Sequence, residues 1–340
     1  MNSFLKKIIF NFTSLILIIS VCEAQNTNIL WVLEELKVNA PIEYSVISEY
    51  GNLPQSFSVK LANGEMSSYK TFQVNKFLTS TDKTGLLSDI NTEVHEVNHG
   101  LTNAKAYTEC KRRGLNGKKY IYYYFTPSGN EFLIRSDLNF FPLRKISPKI
   151  STELKTFRFD TYVEGNSSTQ NDGLLGLLDE FNAYSHSMAT TYYLKKSYMS
   201  LSSSELRNYI DWRSAMSTYV QSYYEFKYFL LQYLLFAKEN EYILYDDIKN
   251  DMELSKAISV INNDFLKLID LFNIEDLKIG PAYWKSKGYT FEKNISEGFD
   301  YYKIGGSKIG YGNSMEDIKK LLPEINSSQF NEVKKDFLIN

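Results

Sequence analysis

The sequence predicts an α+β fold, in which a small N-terminal sheet precedes a mostly α-helical C-terminal part. Short segments that alternate apolar and polar residues, as half-buried strands do, are confined to the first half of the chain. From Gly173 onward, apolar residues recur at steps of three and four, the spacing of a buried helix face. Between these regions, a helix over Leu86–Leu101 is expected to carry the motif HExxH.

The first half contains all of the predicted strands. Ile29–Leu36 suits either a short helix or a strand. Clusters of glycine, asparagine, serine and proline separate the other segments, as expected for turns. Strands are predicted at Tyr44–Ser48, Phe57–Leu61, Thr71–Leu78 and Leu154–Val163, and a hairpin is predicted over Lys118–Arg135.

The second half reads as a series of helices. Gly173–Leu194 has an apolar stripe, and a longer stripe rich in aromatic residues runs from Tyr209 to Tyr233. Such a stripe could line a substrate groove, but it more often packs between helices, so we expect it in the core. The chain therefore divides into an α+β part, residues 25–165, and a mainly helical part, residues 166–340.

The first 24 residues have the layout of a secretory signal peptide. Lys6 and Lys7 precede the apolar segment Ile8–Val21, and cleavage is expected after Ala24. This segment is short and contains polar residues, which disfavours a membrane anchor, and the bulky residue before Cys22 disfavours lipidation. We therefore expect a secreted or extracytoplasmic protein, in the periplasm or at the cell surface, with no membrane span after cleavage.

Composition excludes some classes of partner. The 340-residue chain has 38 basic and 40 acidic residues and a formal net charge of −2, so no nucleic-acid partner is expected. Of its two cysteines only Cys110 lies beyond the predicted cleavage site, which excludes an intramolecular disulfide in the mature chain. Core packing must hold the protein together, assisted by a metal if one binds.

The HExxH motif is the strongest functional signal in the chain. His95 and His99 are two of only three histidines, and they lie one helical turn apart on one face. Two imidazoles in this arrangement can share a metal ion, and Glu96 lies close enough to act on a water molecule there. The alternative is an ordinary helix with two unrelated histidines.

A catalytic zinc requires a third protein ligand and one open position. Two candidates, Glu180 and His186, lie on the predicted helix Gly173–Leu194, but six residues apart and therefore on different faces. Tyr184 shares the face of Glu180.

Other side chains are candidates for supporting roles. Tyr184 and His186 are candidates for the catalytic donor that stabilises an oxyanion. Asn98, Asn103 and Asp179 could orient the metal ligands, although such residues often simply meet solvent.

The segments HEVNH and LLDEFNAY together resemble the glutamate-zincin metallopeptidases, of a poorly characterised bacterial secreted type. The resemblance covers Leu86–Leu194 and implies a zincin-like fold. It also implies Zn²⁺ ligands at His95, His99 and Glu180, with Glu96 as the general base. A metzincin is disfavoured, because residues 100–110 contain no third histidine.

The sequence thus predicts a secreted zinc-dependent metallopeptidase that hydrolyses a peptide or protein substrate with a zinc-activated water. Two alternatives belong to another class: a non-catalytic exported binding protein of zincin-like fold, and a cell-envelope interaction protein that uses its aromatic helices. An intact Glu96 favours the enzyme, because a purely structural metal site needs no base beside its ligands.

Overall fold

The computed structural model describes residues 26–60, 66–113, 120–136, 138–165, 168–296, 299–304, 307–310 and 313–339. The predicted signal peptide, residues 1–24, lies outside them. The elements follow in chain order as α1 (26–39), α2 (Pro41–Gly51), β1 (Ser56–Lys60), β2 (Met66–Lys70), α3 (Lys83–Arg112), β3 (Tyr120–Phe125), β4 (Glu131–Ser136), α4 (Phe159–Tyr162), α5 (Ser168–Asn171), α6 (Leu174–Tyr193), α7 (Lys195–Met199), α8 (Glu205–Asn240), α9 (Tyr242–Asn250), α10 (Met252–Asn273), α11 (Gly280–Ser286), β5 (Phe291–Ser296), β6 (Phe299–Ile304), β7 (Ser307–Gly310), α12 (Asn313–Ile325) and α13 (Asn331–Phe337).

The α+β class is confirmed, with helices providing most of the structure. The described strands form three small antiparallel sheets, β1-β2, β3-β4 and β5-β6-β7. Helix α6 lies at the centre, packed against α3, α8 and α10. Among the described residues, no helix combines the length and the apolar character needed to cross a bilayer.

Several predicted elements are confirmed. The hairpin is β3-β4, and the helix predicted over Gly173–Leu194 is α6. The aromatic stripe of α8 belongs to the core, as expected. Its fully buried members are Trp212, Met216, Tyr223, Phe226, Leu230 and Tyr233.

The strand predicted at Tyr44–Ser48 is wrong, because this segment lies in α2. Proline at the first position of α2 favours a helix, since its missing N–H has no partner there in any case. The buried residues of α2 are spaced for a helix, at Glu43, Val46, Ile47 and Tyr50. The apparent alternation was too short to distinguish the two periods.

The strand predicted at Thr71–Leu78 is also wrong. This segment forms turns and irregular backbone instead. Its backbone N–H groups donate hydrogen bonds to carboxylates on α3. Glu93 accepts hydrogen bonds from the N–H groups of Asn75 and Phe77 at 2.8 and 2.9 Å. Asp89 accepts hydrogen bonds from the N–H groups of Thr79 and Ser80, the two residues directly after the segment. These N–H groups are therefore not available to a sheet.

The strand predicted at Leu154–Val163 is replaced by a 3₁₀ turn and the short helix α4. The alternation placed Phe157 inside and Arg158 outside, whereas Phe157 is 78% exposed and Arg158 only 5%. Arg158 is buried because its backbone N–H and its guanidinium both bind Glu225 on α8. The buried ion pair, and not the alternation of apolar and polar residues, therefore determines which side chains of this segment face the core.

Helix α3 is longer than predicted at both ends. The N-cap is Asp82, upstream of the predicted start at Leu86, and its carboxylate accepts a hydrogen bond from Gly85 N at 2.9 Å. The helix also continues through Gly100. The absence of a side chain there allows the ring of Tyr50 to lie directly on the helix backbone.

We expect Gly100→Ala to destabilise the protein by about 1–3 kcal/mol, although alanine favours helices. A Cβ atom at this position would lie 2.5 Å from Tyr50 Cε2. The buried ring cannot move away, because its hydroxyl accepts a hydrogen bond from Phe72 N. Urea unfolding measures the difference. As a control, Gly51→Ala, whose Cβ meets only Val74 at 3.4 Å, should change stability little. Equal effects of the two substitutions would contradict this explanation.

Candidate metal centre

Helix α3 brings the two motif histidines together. His95 Nε2 and His99 Nε2 are 3.2 Å apart, and the rings meet edge to face. Both side chains are partly buried. The helix positions them because residues at i and i+4 lie one above the other on its surface.

Helix α6 brings Glu180 to the same point. Glu180 Oε2 lies 3.7 Å from His95 Nε2 and 3.5 Å from His99 Nε2. A tetrahedral zinc ion with bonds of about 2.0–2.1 Å holds its ligand atoms about 3.3 Å apart. The three side chains have the separations that such an ion needs, and together they form a group that could hold a metal.

The other ring nitrogens are held from behind by α6. His99 Nδ1 lies 2.7 Å from Asp179 Oδ2, and His95 Nδ1 lies 3.4 Å from Ser187 Oγ. With Nδ1 occupied, each imidazole presents Nε2 to Glu180. Partners of this kind orient histidine ligands in metal sites. Asp179 therefore contacts a candidate ligand, His99, whereas the sequence could not distinguish this role from simple exposure to solvent.

The pKa values of the two histidines shift in opposite directions. Burial, together with the nearby charge of His99, lowers the pKa of His95 well below its ordinary value. Burial acts in the same direction on His99, but the carboxylates of Asp179 and Glu180 together outweigh it and raise the pKa of His99 well above its ordinary value.

Two of the sequence-predicted site residues have carboxylate oxygens without a hydrogen-bond donor among the described residues. Glu180 Oε2 is buried and has no hydrogen-bond donor among the described residues. A buried carboxylate oxygen without a donor is costly, and a cation beside it offsets that cost. Glu96 is half-buried, and within the described chain its carboxylate makes no hydrogen bond or ion pair.

A pair of tyrosines lies beside the histidines. The Tyr184 ring meets His95 edge to face, with centroids 4.8 Å apart. Its hydroxyl lies 3.1 Å from the hydroxyl of Tyr162 on α4. Burial, with the nearby charge of Glu180, raises the pKa of Tyr162, so this phenol remains a neutral donor. Sequence reasoning missed Tyr162, because nothing local distinguishes it from the other tyrosines.

His186 lies outside this group. It is completely buried, with Nδ1 against Glu43 and Nε2 2.6 Å from the carbonyl oxygen of Phe125. Both nitrogens are occupied, so neither can bind a metal or donate to a substrate without breaking a buried hydrogen bond. His186 instead connects α6 to α2 and to the end of β3.

The two asparagines also differ. Asn98 is buried and lies 3.4 Å from the amide of Asn182 on α6, which connects the two helices beside the centre. Asn103 is exposed and donates to the backbone carbonyl of His99 at 3.1 Å. Neither contacts an imidazole ring nitrogen.

The chain matches no protein-family model, no curated protein and no solved structure. The site must therefore be judged from its own geometry and chemistry.

The buried His186–Glu43 pair should make stability depend on pH. Burial disfavours the charged imidazole, but Glu43 outweighs it, and the pKa of His186 is raised above 6.5. This stabilisation should be complete below pH 6.5 and lost as the pH rises through the folded-state pKa. Urea unfolding from pH 5.5 to 9, with chelator present, should show His186→Gln most destabilised at the acidic end. A difference from wild type that stays constant or grows with pH would contradict the assignment.

Proposed function

We propose that this protein is a zinc-dependent metallopeptidase of zincin-like architecture, secreted or extracytoplasmic, that hydrolyses peptide bonds. One observation carries the proposal. His95 Nε2, His99 Nε2 and Glu180 Oε2 converge at ligand spacing, while Asp179 and Ser187 occupy the opposite ring nitrogens. Two nitrogens and a carboxylate oxygen from the protein are a ligand set typical of hydrolytic zinc sites.

When bound, zinc would supply Lewis acidity, polarising a carbonyl group and lowering the pKa of water toward neutrality. The protein's own residues then have distinct tasks. Glu96 removes a proton as a water oxygen bonds to the peptide carbon, and it returns this proton to the amine as the carbon–nitrogen bond breaks. Tyr184 donates a hydrogen bond to the carbonyl oxygen as negative charge develops on it.

The second coordination sphere supports this assignment. Asp179 fixes the tautomer and orientation of His99, and its negative charge makes the ring a stronger electron donor. A half-buried base adjacent to the first histidine has no purpose in a purely structural site. For that reason we favour an enzyme over a non-catalytic binding protein or an envelope interaction protein.

Metal content tests the ligand set. Purified wild-type protein, dialysed against micromolar zinc, should retain about one ion per chain. His95→Ala and Glu180→Ala should each reduce this content strongly, because each removes one of three protein ligands. Inductively coupled plasma mass spectrometry measures the stoichiometry. The exposed Glu239→Ala is the matched control and should retain zinc. Wild-type protein that folds normally and binds no metal would refute the proposal.

Catalysis is tested separately with Glu96→Gln. This variant should keep its zinc, since Glu96 is not a ligand, and should lose peptidase activity by about 10²–10⁴-fold, the usual contribution of a general base. Mass spectrometry of a peptide library incubated with zinc-loaded protein reports new termini. Zinc binding with no cleavage by the wild type would favour the non-catalytic alternative. Equal cleavage by both proteins would remove Glu96 from the mechanism.

A further inference from the structure

A buried arginine lies directly against the tyrosine of the metal centre. Arg158 Cζ is 4.8 Å from the centroid of the Tyr184 ring, within the range of a cation–π interaction. The same ring also meets His95 edge to face. The phenol ring therefore contacts both a guanidinium and a candidate metal ligand.

Glu225 on α8 fixes this arginine in two ways. One carboxylate oxygen accepts from Arg158 Nη1 at 2.6 Å, and the other accepts from the Arg158 backbone N–H at 3.0 Å. Glu225 is completely buried. Because both backbone and side chain are bound, the guanidinium cannot turn away from the Tyr184 ring without breaking the ion pair.

A contribution to folding stability does not by itself explain why this ion pair is buried. Burying two charges costs about as much free energy as their attraction returns, and an apolar pair of similar volume often serves at least as well. The positive charge of Arg158 also acts on His95, contributing to its lowered pKa, although burial contributes most. The pair is thus close enough to influence the centre electrostatically.

We propose that Arg158 is a positioning residue that acts through Tyr184, an inference that rests on the proposed peptidase function. Held by Glu225, its guanidinium fixes the Tyr184 ring, so that the hydroxyl is directed at the reacting carbonyl oxygen. The Tyr162 hydroxyl, 3.1 Å from that of Tyr184, further limits rotation of the ring. A cation against the ring also withdraws electron density and strengthens the hydroxyl as a donor.

A double-mutant cycle on zinc-loaded protein tests this coupling. Tyr184→Phe should lower kcat about 100-fold, as expected for loss of an oxyanion donor. Arg158→Lys, which keeps the charge but loses the planar group, should lower kcat about 10-fold with little change in KM. The double variant should be no slower than Tyr184→Phe alone, because Arg158 has no effect without the hydroxyl it positions. Effects that multiply would overturn the proposal.

A second measurement does not depend on turnover. Acetohydroxamate presents an oxyanion to a bound metal, and calorimetry gives its affinity for each zinc-loaded variant. Both single substitutions should weaken binding, and the double should match Tyr184→Phe. If the wild type binds zinc and acetohydroxamate but cleaves no peptide, the peptidase proposal fails while this cycle still decides the role of Arg158. Cleavage with an additive binding cycle would overturn the Arg158 proposal alone.

The chain offers a matched control at Arg213. Its guanidinium is equally buried and binds Asp276 at 2.6 Å, but it lies twelve residues before Glu225 on α8, about 18 Å along the helix. Arg213→Lys should reduce stability without changing kcat per zinc-loaded molecule. If Arg158→Lys does not fold, Glu225→Gln replaces it in the cycle, since it removes the carboxylate that holds the guanidinium but keeps Arg158 itself unchanged. The same non-additivity is then expected, and additivity would again overturn the proposal.

Discussion

The contact between α3 and α6 is the constraint on which the centre depends. Along this contact, residue numbers rise on α3 as they fall on α6, through the pairs Asn91–Thr191, Asn98–Asn182 and His99–Asp179. The helices are therefore antiparallel, and polar pairs on both sides of the centre fix their register. Each residue turns a helix by about 100°, so a shift of one position would direct Glu180 away from the histidines. Apolar packing alone would permit such slippage, whereas buried hydrogen bonds left without partners would not.

Helix α3 also organises the segment that precedes it. Asp89 and Glu93 hold the turns of residues 71–80 through backbone N–H groups, and Gly100 receives the ring of Tyr50 from α2. The histidines occupy a different part of the surface of the same helix. Helix α3 thus anchors the loop of residues 71–80, packs against α2 and α6, and carries two residues of the candidate metal group. A helix fixed at so many points loses little further conformational entropy when its side chains bind a ligand.

The parts of the structure that could be predicted are those encoded by local spacing. The HExxH face depends on a period within five residues, and α6, α8 and the hairpin have patterns long enough to be unambiguous. Glu180 could be named as a candidate but not distinguished from His186, because the choice depends on which face of α6 meets α3. Tyr162 and Arg158 could not be identified as neighbours of the centre at all. Arg158 reaches it through Glu225, 67 positions later in the chain, and this long-range ion pair also made the alternating pattern around it misleading.

The orphan oxygen of Glu180 has a consequence for the stability of the whole protein. Two imidazoles and a carboxylate held together in a partly buried position carry an electrostatic cost that a cation or a proton must offset. An ion that binds only the folded chain adds to the free energy of unfolding, by about 2.7 kcal/mol at a hundredfold excess over its dissociation constant. The candidate ligands come from both α3 and α6, so a bound ion would stabilise the contact between these two helices. If the centre binds a metal, the resistance of this protein to unfolding, and hence to degradation by proteases, should therefore follow the metal supply of its surroundings.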